Sequence, residues 1–258
     1  LLLVRRRRIA ERNIELCFPE LPAAGRAALL REHFRDLGRM FVEFALGWMA
    51  SPRRFDAIPY RIDGLEHLKA ALAGGRGVLM VGAHFTHLEL CARLIGQTTP
   101  LAGMYREHGS PVFEWAIKRR RLRYAGQMFG RRELRATVRY LKRGGGLWYA
   151  PDQDMRGKDS VFAPFFGIAA STITATHHLA RMSGTAVLMF AHRRLPGDQG
   201  YVLELSPPLA GFPSDDAVAD SARINAGIEA MVRTAPSQYL WIHRRFKTRP
   251  PGDPPLYP

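Results

Sequence analysis

The sequence predicts an α/β domain with a mostly parallel central sheet flanked by helices, preceded by two N-terminal helices. Three observations carry this expectation. A short apolar run at 77–82 is closed by glycines, such runs exchange with segments of helical periodicity, and no repeat, low-complexity tract or linker divides the 258 residues. A chain of this length buries one substantial core, so a single domain over 1–258 is expected.

Residues 9–18 and 26–49 carry apolar side chains at helical spacing, and Pro19 and Pro22 punctuate between them. Two helices follow from this. The run GVLMVG at 77–82 is too short for a helix and suits a buried strand. A helix is expected over 87–95, a strand at 101–105, helices at 112–123 and 132–142, the second ending at Gly144, and a strand at 147–150. Residues 171–182 read as a helix with Ser171 as cap and Gly184 as stop. Strands at 186–191 and 201–205 flank a turn at 196–200, and 215–234 forms the last long amphipathic helix. The aromatic segment 162–167 reads as a loop that either fills the core or lines an acyl chain, and the proline-rich tail from Pro250 reads as irregular surface.

The 38 Lys and Arg residues outnumber the 23 Asp and Glu, giving a formal charge of +15. Nucleic acid, anionic lipid and acidic protein all suit such a surface. Zinc-finger spacing, an RNP-like aromatic motif and a clear helix-turn-helix signal are all lacking, which leaves nucleic-acid binding a remote alternative. The best apolar run, 40–50, falls short of the roughly 18 residues that cross a bilayer and contains Glu43. Leu1, Leu2, Leu3 and Val4 lead into Arg5, Arg6, Arg7 and Arg8 without an initiator Met, as at a cut end. A membrane helix ahead of it would set the arginines at its cytoplasmic edge, the alternative being the basic start of a helix. Cys17 and Cys91 lack CxxC spacing and nearby ligand clusters, so neither a zinc site nor a disulfide framework is expected, and a reducing, cytoplasmic setting fits.

The sharpest local signal is Ala83-His84-Phe85-Thr86-His87-Leu88-Glu89 at a strand-to-helix junction. On one helix, side chains five apart point roughly 140° apart and cannot cooperate. With His84 in the turn and Glu89 in the first helical turn they can meet. Glu89 would then accept a hydrogen bond from one ring nitrogen, leaving the other basic towards a substrate hydroxyl. The same residues also fit a capping box from Thr86 to Glu89, with His84 a turn residue, and His87 is a second, weaker candidate base.

The cluster Lys118-Arg119-Arg120-Arg121-Leu122-Arg123 is either a solvated helix face or a source of one inward arginine that grips phosphate or carboxylate, and Arg131, Arg132 and Arg135 extend its positive surface. Asp152 and Asp154 follow a strand, but two Asp in a loop are too few ligands for a metal, and none is expected. Gly144, Gly145 and Gly146 form a turn, since no phosphate-loop pattern follows them. The segment from Trp241 to Arg249 interleaves aromatics with bases, as either a basic rim for lipid headgroups or a last core element with a charged exit.

Taken together, several ordered blocks resemble the lipid A biosynthesis late acyltransferases, the lauroyl and myristoyl transferases, over nearly the whole chain. They are Arg12-Asn13 with Cys17-Phe18-Pro19-Glu20, the His84 to Glu89 motif, Tyr105-Arg106 with Pro111, and Trp148 to Asp152 with Asp154. Ser160-Val161-Phe162, 179–184 and QYLWIHRRFKTRP at 238–250 continue the series. The resemblance implies a glycerolipid-acyltransferase-like fold whose first 50 residues are membrane-proximal helices, with the family's N-terminal anchor missing from this chain. It implies an enzyme on the cytoplasmic face of the inner membrane that needs no cofactor. Acyl carrier protein would supply the acyl thioester, and a hydroxyl of a Kdo-bearing lipid IVA precursor would accept it. His84 and Glu89 would form the HxxxxD/E catalytic pair, Arg121 would bind phosphate or the developing oxyanion, and Asp152 would hold a substrate-site position of unspecified role. A related acyltransferase acting on another glycolipid or on glycerol phosphate is the alternative nearest to this reading.

Overall fold

The computed structural model describes residues 2–107 and 109–257. Leu1 and the side chains of Leu2 and Leu3, part of the N-terminal apolar run, lie outside the described residues. The two N-terminal helices form as expected, α1 over Leu2–Cys17 and α2 over Ala23–Met49. There follow α3 (Pro52–Asp56), β1 (Tyr60–Asp63), α4 (Leu65–Ala73), β2 (Val78–Val81), α5 (Leu88–Gly96), β3 (Leu101–Tyr105), α6 (Pro111–Arg121) and β4 (Ala125–Gly130). The second half comprises α7 (Leu134–Lys142), β5 (Gly146–Tyr149), β6 (Ser160–Phe165), β7 (Ile168–Ile173), α8 (Ala175–Ser183), β8 (Ala186–Arg194), β9 (Tyr201–Leu205) and α9 (Ala217–Thr234). Among the described residues no helix is long and apolar enough to cross a membrane.

The main sheet has seven strands in the order β1-β9-β8-β2-β5-β3-β4. Every neighbouring pair runs parallel except β8 with β9, so the expected mostly parallel sheet is present. Its centre is the glycine-bounded run. All four residues of β2 are buried, with Leu79 and Val81 in the core on one face and Val78 and Met80 in the core on the other. Side chains alternate along a strand, so a strand covered on both faces must be apolar throughout. Helices α1 and α9 bury their apolar stripes on the first face, and α5, with Phe55 of α3 and Leu68 of α4, covers the second.

Helices α3 and α4 and strands β1 and β4 were not foreseen, and one further region departs from expectation. The aromatic segment at 162–167 belongs to an antiparallel hairpin of β6 and β7, turned at Phe166 and Gly167, both at positive φ (51° and 74°). Two left-handed residues match the twist of a tight hairpin. Ser171 therefore lies in a strand, where its hydroxyl donates to the Met155 carbonyl, and the helix starts only after Thr174. The run Thr172-Ile173-Thr174 is β-branched and favours the extended chain. Residues after Gln238 form no long element, but they join the sheet edge: Phe85 and Tyr239 form an antiparallel bridge.

Candidate active site

Parallel strands β2 and β5 are paired with Val78 opposite Gly146 and Val81 opposite Tyr149. Three residues beyond each strand end, the same offset sets His84 beside Asp152. The site therefore lies past the carboxyl ends of central strands, where the open edge of an α/β sheet collects function. The Asp152 carboxylate accepts from the His84 backbone N–H at 3.0 Å and meets His84 Nδ1 at 2.6 Å. With a carboxylate at that distance Nδ1 carries the proton, and Nε2 is left as the basic nitrogen.

The electrostatics agree with this tautomer. Burial alone would push the Asp152 carboxyl up, but the imidazole charge, both His84 hydrogen bonds and the Tyr239 hydroxyl bring it down to about 2. Burial disfavours the imidazolium, yet the Asp152 charge and hydrogen bond, helped by Glu89, hold the His84 pKa above the usual histidine value, against the opposing charge of Arg121. The His84 side chain keeps 29% of its surface open, whereas Asp152 keeps 1%. One member faces the reaction and the other is fixed behind it.

The loop that carries His84 is pinned from the C-terminal segment. Thr86 N–H donates to the Gln238 carbonyl at 2.9 Å, and Leu240 N–H donates to the His84 carbonyl at 3.0 Å. That segment is itself anchored by Asn13, whose amide donates to the carbonyls of Trp241 and His243 at 2.6 and 2.7 Å. Asp154 holds its far end, accepting from the backbone N–H and hydroxyl of Thr248 at 3.0 Å. The blocks Arg12-Asn13, Asp154 and QYLWIHRRFKTRP thus converge on one loop.

Glu89 does not orient the imidazole, and the expected His84 to Glu89 hydrogen bond is replaced. Trp48 Nε1 donates to Glu89 at 2.8 Å and the Tyr124 hydroxyl at 3.0 Å, while Arg121 grips both oxygens through Nε and Nη2. The physical reason is competition. A strong cation and two neutral donors surround the first turn of α5, and Asp152 already holds the ring of His84. Burial opposes ionisation of Glu89, but the charge and hydrogen bonds of Arg121, with those of Trp48 and Tyr124, outweigh it and keep the carboxyl below its usual range. The capping box is also absent: no side chain caps α5, and the Thr86 hydroxyl is buried without a hydrogen-bond partner.

Arg121, the last residue of α6, is the inward arginine foreseen in the basic cluster. Asp152 has a definite task, and Glu89 reaches the imidazole only through its charge. Trp48 and Tyr124 carried no signal in the sequence. Trp48 reaches Glu89 because Gly47 lets α2 approach α5 closely: a Cβ there would lie 3.1 Å from the Glu89 carbonyl oxygen. Arg93 reinforces this contact by donating to the carbonyls of Gly47 and Ala50 at the end of α2.

Glu89 and Arg121 stand at one end of a narrow apolar cavity of about 60 Å³. Leu88, Ala92 and Ile95 of α5 form one wall, and Gly103, Met128 and Trp148 form the other. A Cβ at Gly103 would lie 3.0 Å from the Met128 thioether, so glycine keeps this wall open. A base with an anchored partner, a buried guanidinium and an apolar slot beside it is an arrangement suited to acyl transfer onto a hydroxyl.

Comparison with known proteins agrees. Residues 2–248 match the model of the bacterial lipid A biosynthesis acyltransferase family. The chain is 43% identical over 256 residues to the lipid A biosynthesis palmitoleoyltransferase of Escherichia coli K12, covering 99% of this chain and 83% of that protein. It is 41% identical over 254 residues to the lipid A biosynthesis lauroyltransferase of the same organism, covering 98% and 83%. A crystal structure of the 1-acyl-sn-glycerophosphate (LPA) acyltransferase PlsC from Thermotoga maritima matches with a TM-score of 0.44 and 16% identity, over 93% of this chain and 99% of that one. This protein belongs to the lipid A biosynthesis acyltransferase family and is an acyltransferase.

Proposed function

We propose that this enzyme transfers a fatty acyl group from the thioester of acyl carrier protein to a hydroxyl of a Kdo-bearing lipid IVA precursor, with His84 as general base. The observation that carries this reading is the 2.6 Å contact of His84 Nδ1 with buried Asp152, which frees Nε2. Nε2 takes the acceptor proton while the hydroxyl oxygen bonds to the thioester carbonyl carbon. The resulting oxyanion faces the Nη1 edge of Arg121, since Glu89 holds the opposite edge. Collapse breaks the carbon–sulfur bond, and the departing carrier thiolate takes the proton back from the imidazolium. Base catalysis of this kind supplies about 10²–10⁴-fold in rate, and one oxyanion donor about 10²–10³. The apolar cavity, at about 60 Å³, would take only a few carbons of the acyl chain unless it widens on binding, and the reaction draws on no cofactor beyond the donor thioester.

Attachment to the cytoplasmic face of the inner membrane is part of the same reading. Phe41, Val42 and Met49 of α2 and Val112, Phe113 and Trp115 of α6 are exposed apolar side chains. Arg120 of α6 donates to the Trp48 carbonyl, so the two helices are neighbours. Lys118, Arg119, Arg53 and Arg54 add cations to the same helices and the adjoining α3. Apolar side chains among cations fit an anionic lipid surface. Incubating the protein with a panel of acyl carrier protein thioesters and purified precursor, with mass analysis of the product, tests the proposal. An added acyl mass on the precursor is expected, and release of free fatty acid alone would refute it.

A further inference from the structure

His87, Cys91 and His192 meet in the interior, beside the catalytic loop but outside the chemistry just described. His87 precedes α5 and Cys91 lies one helical turn on, so both project to one side; His192 comes from β8. The three are 0%, 0% and 2% exposed. One donor atom from each lies within 4.8 Å of the other two.

Aromatic packing alone does not account for this group. The two imidazoles stand edge to face at 4.8 Å, and among the described residues their four ring nitrogens have at most one weak contact, from His87 to the His192 backbone, and no well-formed hydrogen bond. A buried polar group left unsatisfied costs about 1–3 kcal/mol, so such orphans call for a partner. Neutral imidazole is the form that ligates metal.

We propose that His87, Cys91 and His192 form a structural zinc site that staples the first turn of α5 to β8. Two imidazoles and a thiolate are a set that zinc takes, and tetrahedral zinc with bonds of about 2.0–2.3 Å holds its donors about 3.3–3.6 Å apart. The present donors reach that spacing by closing about an ångström. Binding replaces the thiol proton of Cys91, which leaves to solvent, and a small ligand such as water completes the fourth position. The ion and one thiolate leave a formal positive charge, and the nearby acid is Glu43, whose Oε1 is paired with Arg194. Its carboxylate acts on the Cys91 thiol, and its Oε2 is buried without a hydrogen-bond partner. Arg194, the nearby cation, is paired with Asp36 and Glu43. Because one of its ligands, His87, sits between His84 and Glu89 in sequence, the staple would fix the turn from which both project.

The test uses the whole chain, purified without a metal-binding tag, stripped with a chelator and titrated with cobalt and then zinc. Near-stoichiometric uptake is expected, with a sulfur-to-cobalt charge-transfer band that zinc abolishes. The band should persist in Cys17→Ser and vanish in Cys91→Ser, and zinc should raise the melting temperature of the wild type. A wild type that takes up zinc poorly and shows no such band overturns the proposal, whether or not the variants fold. So does a band that survives Cys91→Ser.

Discussion

The carboxylate of Glu89 is committed to Arg121, Trp48 and Tyr124, so a change at Glu89 acts first on the guanidinium and only then on the reaction. Arg121→Ala should lower kcat by about 10²–10³, the scale of a lost oxyanion donor. Arg119→Ala and Arg132→Ala should change it little, since Arg119 lies over the exposed Trp115 ring and Arg132 is exposed. Glu89→Gln should fall between them, because the amide keeps the shape but releases the clamp. Steady-state kinetics on the four variants decide this; equal losses at all three arginines would reduce Arg121 to general surface charge. Arg121→Lys should not restore the rate, since an ammonium cannot hold Glu89 on one edge and a ligand on the other. At this scale the sequence singled out residues that the fold brings together, but not how they pair. His84, Glu89, Arg121 and Asp152 were all legible, whereas the pairing depends on which donors surround Glu89, and these come from α2 and from the residues after α6.

Among the elements, β2 and α5 were legible because their signals are local: an apolar run between glycines, then helical periodicity. The β6–β7 hairpin was not, because its turn needs a phenylalanine at positive φ, which sequence disfavours. The pairing of His84 with Asp152 follows from the β2–β5 register, 68 positions apart, and only the neighbour relation of the two strands fixes that number. The cavity is likewise a property of packed elements. Gly103 of β3 lies beside its strand partner Met128 of β4 on one wall, so Gly103→Val should fill part of the slot while the flexible thioether shifts aside. With donors of graded chain length, the product mass spectrum should move towards shorter acyl chains at similar total turnover. An unchanged distribution would place the acyl chain elsewhere.

Over the whole molecule, the proposed lipid-facing surface joins the exposed apolar residues of α2 and α6 to the cations of α3 and α6. Binding to vesicles containing anionic lipid should weaken as salt rises and weaken further in a Val112→Ser, Trp115→Ser double variant, with circular dichroism unchanged; binding indifferent to both would remove this face from the interface. The composition announced the charge, but only the fold sets the exposed apolar residues of α2 and α6 beside one another. The central claim concerns His84 and its buried carboxylate, and the pH dependence of kcat/KM tests it most directly. The working form of His84 is neutral, so activity should fall as pH drops through a pKa above the usual histidine value. Asp152→Asn removes the charge that raises this pKa, so the acid limb should move to lower pH while the plateau drops by about 10²-fold or more. An acid limb at the same pH in both proteins, or a plateau untouched by His84→Ala, would contradict the account.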